Sequence, residues 1–145
     1  PDSCENDLVN SMKESSLNYF KEEDHVVYKT CHHGSKTSNG DTLLSYVKPD
    51  IIFSMSGIVS KNQTKDPITD QHPYLEALER MKKYTDKIYW TSINGTIILS
   101  SKGSEVTLLF KGRTVDYYYN GEIVSKENEK EITIFESKWY QAITK

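Results

Sequence analysis

From Ser92 onward the chain is punctuated by Ser92-Ile93-Asn94-Gly95, Lys102-Gly103, Lys111-Gly112 and Asn120-Gly121, turn signals spaced about 8 to 10 residues apart. The stretches between them, TIILS, EVTLLF, RTVDYYY and EIVS, read as short strands, and EITIFES near the end reads as one more. KENEKE before it is a solvated charge run. Upstream the rhythm differs. Residues 5–21 (ENDLVNSMKESSLNYFK) set Leu8, Met12, Leu17 and Phe20 at helical spacing. Residues 25–31 (HVVYKTC) are β-branched and aromatic and predict a strand. Asp41 is a fitting N-cap for a helix to Val47, which Pro49 stops. Residues 50–56 (DIIFSMS) predict a second strand, bounded by Gly57. Residues 58–71 are polar and read as a long loop, of a length that often carries function. Pro73 suits the first turn of a helix to about Tyr84, with Leu75, Leu78 and Met81 on one face. Residues 87–90 predict a third strand. The fold class is therefore α/β over residues 1–104, followed by a β-meander extension over 105–145, with no internal repeat.

Bulk properties narrow the function classes. The chain has 145 residues, 36% hydrophobic and 27% charged, which suits one globular domain rather than a disordered chain. Its net charge of −3 provides no basic footprint for non-specific nucleic-acid binding. No apolar run approaches the roughly 18 to 20 residues that span a bilayer, and no signal peptide is expected. Cys4 and Cys31 make a poor disulfide framework and form no CxxC pair, which favours a reducing, cytoplasmic setting. The chain opens at Pro1 rather than Met, and we expect it to be part of something longer.

Two of the four histidines, His32 and His33, stand side by side where the first strand ends, followed by Gly34, Ser35, Thr37 and Ser38. A strand end opening into a loop is well sited for metal ligation, because the loop sits on a rigid scaffold. Gly34 lets backbone approach a bound group closely. The hydroxyls can hold a phosphate or orient an imidazole. The plainer reading of the pair is a polar strand end with packed or solvated histidines. Asp70-Gln71-His72-Pro73 sets another histidine at a helix start, where backbone N–H groups favour anions; its plainer reading is a capping segment. Tyr117, Tyr118 and Tyr119 suit edge and core packing better than base stacking, since a strand alternates its faces. Trp90 and Trp139 read as core or interface residues, Met12, Met55 and Met81 as core filling, and His25 as exposed.

The run VVYKTCHHGSKTSNGDTLLSYVKPDIIFSMS, then His72-Pro73, LEALERM and IYWTSINGTIIL, resembles the closing portion of metallo-β-lactamase-fold hydrolases. The branch is that of the ComEC-type competence proteins and their free-standing relatives. There a strand runs into HHGSxxS, followed by a short helix, "VKP", a strand ending in Ser, a His-Pro helix start and a strand-turn-strand with Asn-Gly. The resemblance covers roughly residues 5–100. It implies the C-terminal half of an αββα sandwich and a pair of metals, usually zinc and alternatively manganese, that activate a water for attack on a phosphodiester or other ester. Nucleic acid is a possible substrate by analogy with the competence proteins. By position, His33 is the metal ligand, with His32 as the alternative. His32 and His72 are catalytic candidates that face substrate or line the rim. Gly34, Ser35 and Ser38 contact substrate or support the ligands.

The departures are equally plain. The family's HxHxDH motif and its bridging aspartate lie in the N-terminal half, and none of the four histidines here stands in such a motif. We therefore expect the missing N-terminal half as partner and no activity from the isolated chain. Cys31 stands where relatives often carry Pro and receives no catalytic role. The residues from Glu105 onward have no counterpart in the family. The alternative function is a non-catalytic structural or partner-binding module.

Overall fold

The computed structural model describes residues 3–15, 17, 19–20, 24–57, 72–112, 117–119, 122–125 and 131–145. The polar loop at 58–71 and the KENEKE charge run lie outside them, except for Glu131 at the end of the latter. Three short parallel strands, β1 (Val27–Lys29), β2 (Ile51–Ser54) and β3 (Ile88–Trp90), pair in the order β1-β2-β3. Helix α1 (Ser3–Glu14) precedes them, α2 (Asp41–Val47) links β1 to β2, and α3 (Leu75–Lys82) lies between β2 and β3. Parallel neighbours need such crossovers, and a right-handed sense in both sets α2 and α3 on the same side of the sheet.

Register and burial agree with that arrangement. Tyr28, Ile52 and Ile88 lie across from one another, as do Ser54 and Trp90, and all five are buried. They share a core with Leu43, Leu44 and Val47 of α2, Ala77, Leu78 and Met81 of α3, and Val9 of α1. The opposite face carries Val27, Phe53 and Tyr89. The Tyr89 ring packs at a tilt, 4.9 Å between centroids, on Phe110, which ends a hairpin of β4 (Ile97–Lys102) and β5 (Glu105–Phe110). The chain is thus mixed α/β, and among the described residues no helix is long and apolar enough to cross a membrane.

Several elements depart from the sequence expectations for local reasons. Helix α1 stops at Glu14, because the Ser15 hydroxyl accepts from the Leu17 amide at 3.2 Å and competes with the helical ladder. Its buried stripe is Glu5 and Val9, while Leu8 and Leu17 are exposed. Helix α2 is capped by Gly40 rather than Asp41, and the Glu5 carboxylate accepts from the Asn39 and Gly40 amides at 2.6 and 2.8 Å. Asp41 instead binds Lys83 (3.1 Å) and the Tyr84 hydroxyl (3.2 Å) at the end of α3. Buried Pro73 precedes α3, which starts two residues later, and the His72–Pro73 peptide is cis.

The second half also differs. Residues 91–94 form a helical turn, α4 (Thr91–Asn94), in which Asn94 Oδ1 accepts from the Trp90 amide at 2.7 Å. The predicted meander is two separate hairpins among the described residues, β4–β5 and a pairing of β6 (Tyr117–Tyr119) with β7 (Glu122–Ser125). The EITIFES strand is not formed: Ile134–Glu136 is a 3-10 turn and α5 (Lys138–Ile143) follows. The cause is a capping box, with Glu136 accepting from both the amide (2.7 Å) and the hydroxyl (2.9 Å) of Thr133. Trp139 on α5 packs on Trp90 at 4.7 Å, so the predicted core roles of both tryptophans and Met81 hold. Met12 packs at the core's margin, but Met55 is 47% exposed. The side chains of Tyr117, Tyr118 and Tyr119 lie outside the described set.

Candidate functional site

In a parallel sheet the chain leaves every strand at the same edge, and loops there are pre-sorted to build a site. Here β1 runs into His32-His33, β2 into Met55-Ser56-Gly57, and β3 into Thr91-Ser92. Hydrogen bonds tie these exits together. The Ser54 hydroxyl donates to the His33 carbonyl at 3.2 Å, and the Ser92 hydroxyl donates to the Ser56 carbonyl. Trp90 Nε1 donates to the Ser56 hydroxyl at 2.8 Å, which donates in turn to the His72 carbonyl at 2.7 Å.

The turn at Cys31–Gly34 carries three successive positive φ angles: 45° at His32, 55° at His33 and 85° at Gly34. Left-handed backbone is unfavourable for a residue with a Cβ, and two such histidines in a row persist only where surroundings enforce them. Asn39 is one enforcer. Its Oδ1 accepts from the Cys31 amide at 2.8 Å and the Tyr28 hydroxyl at 2.9 Å, and its Nδ2 donates to the Cys31 carbonyl at 3.1 Å. Burial, and then the Cys31 thiol beside it, push the Tyr28 hydroxyl well above its usual range, so it stays protonated and donates.

His33 Nδ1 is hydrogen-bonded to the Met55 carbonyl. A carbonyl only accepts, so Nδ1 carries a proton, and in the neutral ring the lone pair is on Nε2. That is the tautomer a metal-ligating histidine needs, fixed by a backbone partner.

His72 arrives from the other direction. The Tyr74 amide donates to the Gly34 carbonyl at 2.9 Å, and Pro73 packs on Gly34. The ring of His72 lies 5.4 Å from that of His32, 6.5 Å from that of His33 and 4.9 Å from that of Tyr74. Burial lowers its pKa first, and the positive charge available to His32 and His33 lowers it further. Lys36 holds its ammonium 5.5 Å from the Tyr74 ring centroid.

All the sequence-predicted site residues therefore fall in one region. His32, His33 and His72 are brought together, with His32 and His33 exposed and His72 partly buried. Gly34 is where the two loops touch. Ser35 and Ser38 are both buried, and the Ser35 hydroxyl is within 3.2 Å of the Thr37 hydroxyl, so it braces the loop. His25 is at the far end of β1, exposed and 3.9 Å from the Asp50 carboxylate. Among the described residues, no group of three or more His, Cys, Asp or Glu side chains has the geometry to hold a metal ion. His33 fits the part of one ligand, and a complete centre needs donors beyond these.

Sequence reasoning missed Asn39, Arg80, Glu5 and Ser56. Asn39, with φ of 61°, had a usable signal, since Asn-Gly marks a turn that needs left-handed backbone. Arg80 had none, being one arginine among the charges of a helix.

No family model matches the chain, and no solved structure matches it. The chain is similar to "Recombination protein 2" of Haemophilus influenzae, with 34% identity over 71 residues. The matched stretch is 49% of this chain and 8% of that protein, so the chain spans less than a tenth of the length of the relative it matches.

Proposed function

We propose that the chain is the C-terminal half of a metallo-β-lactamase-like αββα sandwich and serves a metal-dependent hydrolase acting on phosphodiesters, with the missing N-terminal half as partner. One observation carries the reading: His32, His33 and His72 converge beyond the strand ends, with His33 Nδ1 committed to the Met55 carbonyl. Val27 and Met55, both exposed, are apolar surface that a second half covers. A zinc or manganese pair, when bound, supplies a nucleophilic water and offsets charge on the phosphate. This chain's own residues hold Nε2 of His33 ready as a ligand, and set the His32 and His72 imidazoles to contact substrate. Lys36 at the rim favours an anionic ester. The name of the Haemophilus relative, a recombination protein, makes nucleic acid the phosphodiester we favour.

The test is hydrolysis of an aryl phosphodiester by a longer protein that contains this chain, supplied with zinc or manganese. His33→Ala must abolish most of the rate while His25→Ala leaves it. Equal rates in wild type and a His32/His33 double alanine variant would sink the reading. The second reading, a non-catalytic partner-binding module, is favoured by the incomplete ligand set among the described residues. A protein with no HxHxDH upstream of this chain would support it.

A further inference from the structure

Arg80 lies on the second turn of α3, yet its guanidinium is spent on the histidine loop. Nε donates to the Asn39 carbonyl at 3.2 Å, and one Nη donates to the carbonyls of Lys36 (2.8 Å) and Ser38 (2.9 Å). No carboxylate is needed in this arrangement. Three backbone carbonyls of one short loop converge on a single planar cation, and the charge raises the strength of each bond. The flat fork is what permits it, since a lysine ammonium is a point donor on a flexible stem.

The loop so gripped is the one that returns from Gly34 to α2, and Asn39 within it holds both backbone polar groups of Cys31, the residue just before His32. Helix α3 itself begins immediately after His72-Pro73-Tyr74. Arg80 therefore joins the segment that carries His72 to the loop that carries His32 and His33. The second junction between them is at Gly34, through the Tyr74 amide and the Pro73 ring. Two junctions at separate points fix a relative orientation, where one leaves a pivot.

We infer that Arg80 is a positioning residue that sets the His32–His72 placement by clamping the carbonyls of Lys36, Ser38 and Asn39 to α3. Its consequence for hydrolysis rests on the function proposed above; the placement itself does not.

The experiment is proton NMR of the full 145-residue chain, reading cross-peaks between the ring protons of His32 and His72. Cross-peaks between Trp90 and Trp139, in the core, report whether the fold is intact. In Arg80→Met the His32–His72 cross-peaks fall several-fold and the tryptophan ones stay. Arg80→Lys keeps the charge without the fork and gives an intermediate loss. Glu79→Gln, an exposed change on the same helix, changes neither. Unchanged histidine cross-peaks in Arg80→Met, with only a lower melting temperature, would overturn the inference. If Arg80→Met does not fold, Arg80→Lys decides, and full wild-type intensity there overturns it. In an active longer protein, Arg80→Lys lowers kcat about 10-fold with a smaller change in KM. Loosened histidines in a protein whose wild type hydrolyses no phosphodiester refute the hydrolase alone. Tight histidines in Arg80→Met beside an active wild type refute the positioning role alone.

Discussion

Gly34 and Pro73 touch so closely that a Cβ on Gly34 would stand 2.6 Å from Pro73 Cβ and 3.0 Å from its Cα. Both obstacles are rigid ring or backbone atoms. The φ of 85° adds a second penalty for any side chain. Gly34→Ala is expected to lose about 1–3 kcal/mol of stability, the range for forced overpacking. Urea unfolding of the two proteins measures it. The same change pushes the His72 segment outward, so the His32–His72 cross-peaks weaken as well.

Asn39 is fully buried and satisfies three polar groups, the Tyr28 hydroxyl and the amide and carbonyl of Cys31. Asn39→Ala strands the Tyr28 hydroxyl and the Cys31 backbone, and leaves alanine in left-handed backbone. A loss of about 3 kcal/mol follows from buried groups left unmade. Chemical denaturation with a matched Ser45→Ala control tests it, because Ser45 is exposed and donates to the Thr42 carbonyl on its own helix.

For the proposed hydrolysis, His33→Ala is expected to cost on the order of 100-fold or more, through lost charge stabilisation and water activation. Ser35→Ala should cost roughly 10-fold, since that hydroxyl braces the loop rather than offering a ligand. Steady-state rates on an aryl phosphodiester give both figures in one series.

Lys36→Met removes the cation beside Tyr74 without disturbing the carbonyl that Arg80 holds. KM for an anionic phosphodiester should rise, with kcat less affected, while a neutral aryl ester is handled as before. A uniform loss on both substrates would show that Lys36 serves the fold instead.

The carboxyl of Glu136 is held below its ordinary value of 4.5, first by the Thr133 amide and then by the Thr133 hydroxyl. A depressed native pKa means the unfolded chain binds the proton more readily as acid is added. The stabilisation is present above pH 4.5 and disappears as pH falls through the lowered native value. Melting temperatures of wild type and Glu136→Gln should therefore differ at neutral pH and converge in acid. Curves that stay parallel across the range would contradict the capping assignment.

The legible parts of the fold are those whose pattern is enforced by burial. VYK, IIFS and IYW became parallel strands because Tyr28, Ile52 and Ile88 must be buried on one shared face. Leu78 and Met81 marked the buried face of α3 for the same reason. ITIF misled because its apolar alternation is that of a strand, while the deciding interaction, Thr133 with Glu136, is a polar one three residues long. The site divides likewise. His32, His33 and His72 announce themselves through neighbours that chemistry requires, Gly-Ser and Pro. Asn39 shows only as the Asn of an Asn-Gly turn, with nothing to say that it holds Cys31 eight residues away, and Arg80 acts across up to 44 residues on backbone carbonyls that every residue possesses, so it leaves no mark of type or spacing.

The chain must pass through α2 and β2 and then fold back on the turn after β1 before the Tyr74 amide can reach the Gly34 carbonyl, forty positions upstream. Contacts across so much chain form late, after the loop-closure entropy of the intervening segment has been overcome. Until then the two left-handed histidines lack the Gly34 and Arg80 contacts that hold them, and the turn is free to relax into ordinary backbone. The three imidazoles thus meet as a last event of folding rather than a first one. Damage to α3 that touches no histidine will accordingly loosen the cluster, because it removes the Arg80 hold on the loop that follows His32 and His33.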